Sequence, residues 1–247
     1  MSFIVPGLTS YFGGKGGDGT YQKIINLIPP HKTFIVPFTG HCGITRNILP
    51  SEHIFLNDYD YKVFEAWLDY TISDSTNVSF KNRLSLSNQH FEVFFKFLEY
   101  ESFYDHYDTV IYCDPPYRHS DRKSDHTYNV EMTEEEHITL LGTIKAFQNS
   151  NVLISTYDNE LYKEMLNGWN KISFTSQTRR GKATETVYYN YEPPEKLHDY
   201  SYIGNNYKKR EQYKLKRFRL IDKFERMTPL ERNYFLDAIK TRYKTTF

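Results

Sequence analysis

Short apolar runs rich in β-branched and aromatic residues alternate along this chain with longer stretches whose apolar positions recur every three or four residues. The runs Thr33–Val36, Ile54–Leu56, Leu84–Leu86, Tyr107–Cys113, Val152–Ser155, Lys171–Thr175 and Thr184–Tyr191 are expected to be strands. Between them the spacing predicts helices over Tyr21–Ile28, which Pro29-Pro30 stops, over Ile44–Leu49, and over Tyr61–Tyr70 with Val63, Phe64 and Trp67 on one face. A Phe- and Glu-rich helix ends near Phe103, and a short one spans Asn159–Leu166. Thr133-Glu134-Glu135-Glu136 has the form of a capping box, with Ile138, Leu141 and Ile144 marking the buried face of its helix. Residues 72–82 and 118–130 are polar and lack periodicity, so both are expected to be loops. Strand alternating with helix predicts an α/β, doubly wound and mostly parallel sheet.

Pro193-Pro194 ends this pattern. Beyond it, Lys208–Arg226 reads as a helix with Leu215, Phe218, Ile221 and Phe224 at helical spacing. Lys209, Lys216, Arg219, Lys223 and Arg226 form a separate basic stripe, and Thr228-Pro229-Leu230-Glu231 caps a final helix. The expected organisation is a domain over 1–195 and a basic helical extension over 204–247.

Charge changes the picture only through its distribution. The chain is neutral, with 31 basic and 31 acidic residues. Residues 1–203 carry 18 Lys/Arg against 26 Asp/Glu, whereas 204–247 carry 13 against 5. An apolar face for docking and a basic face for solvent suit a helix that contacts phosphates, and suit a solvated structural helix equally. Cys42 and Cys113 are expected to be free thiols, with no Cys/His cluster at metal-ligand spacing and hence no metal. No apolar run reaches the ~18 residues of a membrane helix, and no targeting segment is evident, so a cytoplasmic location is expected.

Candidate chemistry lies where strands end. Val110-Ile111-Tyr112-Cys113 runs directly into Asp114-Pro115-Pro116-Tyr117. The prolines forbid further ladder pairing, so Asp114 and Tyr117 sit just past a strand's carboxyl end, where open α/β sheets bind ligands. A planar exocyclic amine carries two N–H donors. Asp114 can accept one and the Pro115 carbonyl the other, increasing lone-pair character on the nitrogen, while Tyr117 stacks on the base. Such an amine reaches the pocket only when the base is flipped out of its duplex. The same tetrapeptide also suits a strand followed by a turn with a helix-capping Asp.

Two upstream turns point to an adenosine-containing ligand. Pro37-Phe38-Thr39-Gly40-His41-Cys42-Gly43 is a glycine turn after a strand, although it departs from the dinucleotide fingerprint. Asp58 follows the next strand, at the separation expected of an acid that holds a ribose hydroxyl. Tyr11-Phe12-Gly13-Gly14-Lys15 opens a glycine-rich loop that is not a P-loop; its glycines allow close backbone approach and Lys15 supplies a point charge.

Together these motifs resemble, in order, those of the Dam-like or D12 class of DNA adenine-N6 methyltransferases. The resemblance continues through Met132-Thr133, Ser155-Thr156-Tyr157-Asp158 and Glu185-Thr186-Val187, covering about residues 8–192. It implies a Rossmann-like methyltransferase sheet, S-adenosyl-L-methionine as cofactor and DNA as partner, with RNA a further possibility. It implies that Tyr11 and Lys15 contact the cofactor's amino-acid end, that Gly13 and Asp114 also bind the cofactor, that Phe38 and Gly40 shape its pocket, that Asp58 holds its ribose and that Phe91 packs on its adenine. Asp114, Pro115, Pro116 and Tyr117 would bind the flipped base and perform direct methyl transfer.

Two departures stand out. Family members often carry an Asp-Phe pair where this chain has His90-Phe91. Only about 55 residues separate Asp58 from Asp114, enough for sheet elements but not for a target-recognition insertion. Nucleic-acid contacts are therefore expected from Arg118, Arg122 and Lys123, from the loop bearing Arg179, Arg180 and Lys182, and from Lys209, Lys216, Arg219 and Lys223. The rival expectations are N4 of cytosine as the methylated amine, an RNA adenine, or a catalytically idle nucleic-acid-binding protein.

Overall fold

The computed structural model describes residues 4, 5, 7, 8, 15, 19–73, 78–101, 105–122, 128–178 and 181–243. Tyr11, Gly13, Lys123, Arg179 and Arg180 lie outside the described residues. The chain divides into two compact units, Met1–Ser201 and Tyr202–Phe247.

The first unit is built on one seven-stranded sheet. Its strands are β1 (Thr33–Val36), β2 (His53–Asn57), β3 (Leu84–Ser87), β4 (Thr109–Cys113), β5 (Asn151–Tyr157), β6 (Asn170–Thr178) and β7 (Gly181–Tyr189), in the spatial order β3-β2-β1-β4-β5-β7-β6. β3, β2, β1, β4 and β5 pair in parallel, and β7 lies antiparallel to both β5 and β6. The sheet is thus α/β, doubly wound and mostly parallel, as the alternation of patterns predicts. All residues of β1 and β4 are buried, which is why these runs are continuously apolar rather than alternating. Burying each Val or Ile there contributes about 1.5–3 kcal/mol.

The connecting helices are α1 (Thr20–Ile25), α2 (Tyr61–Ser73), α3 (Val78–Lys81), α4 (Phe91–Tyr100), α5 (Glu134–Ala146) and α6 (Glu160–Met165). One core gathers Phe91, Phe94, Phe95 and Leu98 of α4 with Leu140, Leu141 and Ile144 of α5. Beneath them lie Ile35, Phe55, Ile111, Cys113, Val152 and Ile154, the alternate residues of four parallel strands. α5 starts with a complete capping box, the Thr133 hydroxyl accepting from the Glu136 backbone and the Glu136 carboxylate from that of Thr133. Both cysteines are free and buried.

Several expectations need correction. Ile44–Leu49 forms turns instead of a helix: the Asn47 side-chain amide donates to the Gly43 carbonyl at 2.7 Å, and Pro50 restricts the residue before it. The buried face of α5 is His137, Leu140, Leu141 and Ile144, while Ile138 is 45% exposed. Residues 78–81 of the expected loop form α3. Finally, β6 and β7 extend toward each other until Thr178 pairs with Gly181, so Lys182 lies on a strand paired with Gln177 rather than in a loop.

The second unit contains α7 (Tyr207–Glu225) and α8 (Pro229–Tyr243). Asn206 caps α7 through its side-chain oxygen, which accepts from the Lys209 N–H at 2.9 Å. Thr228 and Glu231 cap α8 reciprocally. No residue of either helix is buried, and Leu215, Phe218 and Ile221 are all exposed. No described helix is long and apolar enough to cross a membrane.

Candidate active site

In this sheet the connections leave β1 for β2 on one side and reach β4 on the other. The crevice therefore opens at the carboxyl ends of β1 and β4. A pocket of about 780 Å³, counting its open mouth, lies there. It is lined by residues 37–42 after β1, 57–59 at the end of β2, 89–91 after β3, Asp114 and Pro116 after β4, and Tyr128 and 130–132 with Glu136.

Asn57 ties the three strand-end loops together. Its amide donates to the carbonyls of Pro37 at 3.0 Å and Gln89 at 2.9 Å. Its oxygen accepts from the Ser87 hydroxyl at 2.7 Å and the Gln89 N–H at 3.0 Å. Thr39 adds a backbone and a side-chain bond to the Asn57 carbonyl, both 2.9 Å.

Asp58 follows directly. One carboxylate oxygen accepts the Gly40 N–H at 2.7 Å and the other the Asp60 N–H at 2.9 Å. Burial pushes its carboxyl up to about 6, the backbone N–H groups opposing the shift only in part. Gly40 has φ 45°, a left-handed conformation in which glycine is unstrained. The Trp67 indole holds this turn from behind, donating to the Gly40 carbonyl at 2.9 Å. Phe38 and Phe91 form an aromatic wall, ring centroids 5.7 Å apart. His41 Nε2 and Gln89 Oε1 are buried without a hydrogen-bond partner, although both residues line the pocket.

Past β4, Asp114 meets Lys15 instead of capping a helix. Lys15 Nζ lies 2.8 Å from Asp114 Oδ1 and also bonds the Tyr117 hydroxyl. Glu185 of β7 approaches the same ammonium at 3.7 Å. Burial opposes the charge on Lys15, but Asp114 and then Glu185 outweigh it and hold the ammonium well above its usual range. Burial, reinforced by Glu185, pushes the Asp114 carboxyl up to about 6 against the opposing pull of Lys15. Tyr117 is buried and packs on Tyr157, centroids 4.4 Å apart.

The structure thus brings together Lys15, Asp114, Pro115, Pro116 and Tyr117 on one side and Phe38, Gly40, Asp58 and Phe91 on the other, with Asp114 and Pro116 bordering the shared pocket. Arg118 and Arg122 are engaged by acids at and just before the start of α5. Arg118 forms a bidentate pair with Glu134, and Arg122, its side chain 4% exposed, a bidentate pair with Glu131. Asn129 donates to Asp60 at 2.8 Å, tying the stretch before α5 to the start of α2. Lys209, Lys216, Arg219 and Lys223 all belong to α7.

The sequence marks Asn57 only as the neighbour of Asp58, Glu136 only as a helix cap and Glu185 only as part of the Glu185-Thr186-Val187 stretch, and gives Gln89 no role. Glu185 is a buried acid in the middle of a strand, and that incongruity is its available signal. His90, at the departure from the Asp-Phe pair, hydrogen-bonds Glu136 at 3.0 Å.

Residues 70–180 match the family described as D12 class N6 adenine-specific DNA methyltransferase. The match contains Asp114–Tyr117; the Gly40 turn and Asp58 lie upstream of it. No curated protein matches the chain. Among solved structures it is similar to TrmK of M. capricolum in complex with S-adenosyl-homocysteine, at 10% identity over 93% of this chain and 97% of that one, TM-score 0.43. It is also similar to magnesium protoporphyrin IX methyltransferase of Synechocystis with bound S-adenosylmethionine, at 11% identity over 69% and 75% of the two chains, TM-score 0.41.

Proposed function

We propose that this protein transfers a methyl group from S-adenosyl-L-methionine to N6 of an adenine flipped out of DNA. The observation that carries the reading is one continuous crevice: a nucleoside-type pocket walled by Phe38, Gly40, Asp58 and Phe91 opens at Asp114 and Pro116. The family match over residues 70–180 supports it.

The pocket residues fit the cofactor. Asp58 has accepting capacity left beside its two backbone bonds, suited to a ribose hydroxyl. The unpartnered His41 Nε2 and Gln89 Oε1 offer a polar atom each, and burying such atoms is costly unless a ligand or water meets them. Phe38 and Phe91 suit an adenine ring. The cofactor supplies an electrophilic methyl carbon on a sulfonium. Asp114 and the Pro115 carbonyl accept the two N–H bonds of the target amine and orient its lone pair. Asp114 accepts in its ionised form, and Tyr117 offers the base an aromatic surface. In the exposed helix α7, Lys209, Lys216, Arg219 and Lys223 supply a basic surface for phosphates.

The test incubates purified protein with methyl-labelled S-adenosylmethionine and DNA free of N6-methyladenine, followed by digestion to nucleosides. Label in N6-methyldeoxyadenosine is expected. Label in N4-methyldeoxycytidine, or only with RNA, would change the substrate; no transfer to any nucleic acid would refute the activity.

A further inference from the structure

The target amine needs Asp114, yet an ammonium already stands there. Lys15 Nζ is 2.8 Å from Asp114 Oδ1 and bonded to the Tyr117 hydroxyl. An alkylammonium presents N–H donors to the same acceptor that an exocyclic amine would use. The ammonium also stands over the Tyr117 ring, 4.7 Å from its centroid, on the surface offered to the base, so base and lysine compete for one place.

The cluster holds a second, incompletely used acceptor. Glu185 is buried, and its Oε1 accepts the Ser176 hydroxyl at 2.7 Å. Its Oε2 has no hydrogen-bond partner and points to Lys15 from 3.7 Å. A buried carboxylate oxygen that has an ion-pair partner but no hydrogen bond is costly. Closing that gap to hydrogen-bond length requires Nζ to move only ~1 Å, well within reach of a lysine's flexible stem. Lys15 also has φ 52°, the sole non-glycine positive φ among the described residues. A backbone in that region costs of order 1–3 kcal/mol and persists where its surroundings over-determine it.

We propose that Glu185 is a positioning residue: it is the seat to which the Lys15 ammonium withdraws when the target amine enters, so that Lys15 occupies the base pocket at rest and Asp114 and Tyr117 are released only against a flipped base. The exchange keeps the ammonium paired throughout and leaves each carboxylate with a donor. Among the described residues Asp114 and Glu185 are the carboxylates that pair with Lys15, so without Glu185 the ammonium stays on Asp114 and continues to compete with the base.

The inference rests on the proposed methyl transfer, and the experiment separates the two. The wild-type assay first locates a methylated adenine; no transfer there overturns both. Duplexes then carry 2-aminopurine beside that adenine, where its fluorescence rises as the adenine leaves the stack, and are titrated in the presence of S-adenosylhomocysteine. Glu185→Gln, which retains an oxygen for Ser176, is expected to lower the flipped fraction at least fivefold and to bind S-adenosylhomocysteine within twofold of wild type. Lys15→Met removes the competing ammonium, and the double variant should flip within twofold of Lys15→Met alone. Flipping by Glu185→Gln at the wild-type level, or a double variant as impaired as Glu185→Gln, overturns the inference. If Glu185→Gln fails to fold by thermal melting, Glu185→Asp takes its place. The shortened acid should lose at least twofold in flipping, a loss that vanishes in the Lys15→Met background; its persistence there overturns the inference.

Discussion

Replacing Asn57 with alanine should loosen the whole floor of the pocket. Its side chain makes four hydrogen bonds, two given and two received, joining the ends of β1, β2 and β3. The residue is 1% exposed, so water does not readily replace the missing partner. Alanine leaves the Pro37 carbonyl and both backbone groups of Gln89 short of a partner. At about 1–3 kcal/mol per unsatisfied buried group, with partial relaxation, the expected loss is roughly 3–5 kcal/mol. That is a large share of a typical stability of about 5–15 kcal/mol. In thermal terms it is a fall of roughly 10 °C for a chain of this size. Unfolding is best followed by tryptophan fluorescence in urea, because Trp67 is buried against the Gly40 turn. The affinity for S-adenosylhomocysteine, read by calorimetry on the folded variant, should fall in parallel, since residues 37–40 and 89–91 line the pocket. Asn57→Asp provides the control. It keeps both acceptors but turns the two donor bonds into repulsions with carbonyls, so it should be no milder than alanine. A loss below about 1 kcal/mol with an unchanged denaturant slope would refute the reasoning.

Three further outcomes follow from the geometry. Burial pushes the Asp114 carboxyl up to about 6, so if it serves in the proposed role of ionised acceptor, kcat/KM for methyl transfer should fall roughly tenfold from pH 7 to pH 5; a flat profile over folded protein would contradict that role. The Asp58 carboxyl is raised above its ordinary value, so its stabilising contribution is full below the unfolded carboxyl's range and is lost as pH rises through about 6; Asp58→Asn should flatten that part of the stability profile measured by urea denaturation. Charge reversal at Lys216 and Arg219 should weaken DNA binding and reduce its salt slope by about one for each phosphate left without its cation, whereas an unchanged slope in binding titrations would leave α7 a structural role.

How much of this is legible in the chain depends on where the stabilising interactions lie. β1 and β4 announce themselves because both faces are buried, which demands continuous apolar residues. The hairpin of β6 and β7 is longer than its pattern suggests because its outer pairs, such as Gln177 with Lys182, are held by backbone bonds and not by an apolar alternation. The turn at Ile44–Leu49 resembles a helix in sequence because burial there is nearly continuous from Cys42 to Ile48, and a short buried run has no diagnostic period. Asp58 and Asp114 are legible as acids that end apolar strands. Their environment is not, since the partner of Asp114 lies 99 residues upstream and Glu185 faces the same ammonium from β7.

His90 shows why a missing residue type in a contiguous motif does not settle the chemistry of a site. At the level of sequence the chain lacks an acid immediately before Phe91, where His90 stands. In the fold, Glu136 arrives from the first turn of α5. One of its oxygens lies 3.0 Å from His90 Nε2 and the other accepts the Thr133 N–H at 2.7 Å. Those bonds, with the charge of His90, hold its carboxyl below the ordinary range against the opposing effect of burial. The same side chain therefore caps a helix, pairs with His90 and lines the pocket. A capping-box glutamate is normally fully accounted for by its helix, so no local pattern marks it as part of a ligand wall. The acid that the motif lacks at position 90 is present in space, 46 residues later. That wall is polar because of tertiary packing, and the departure alone is no argument that the site is idle.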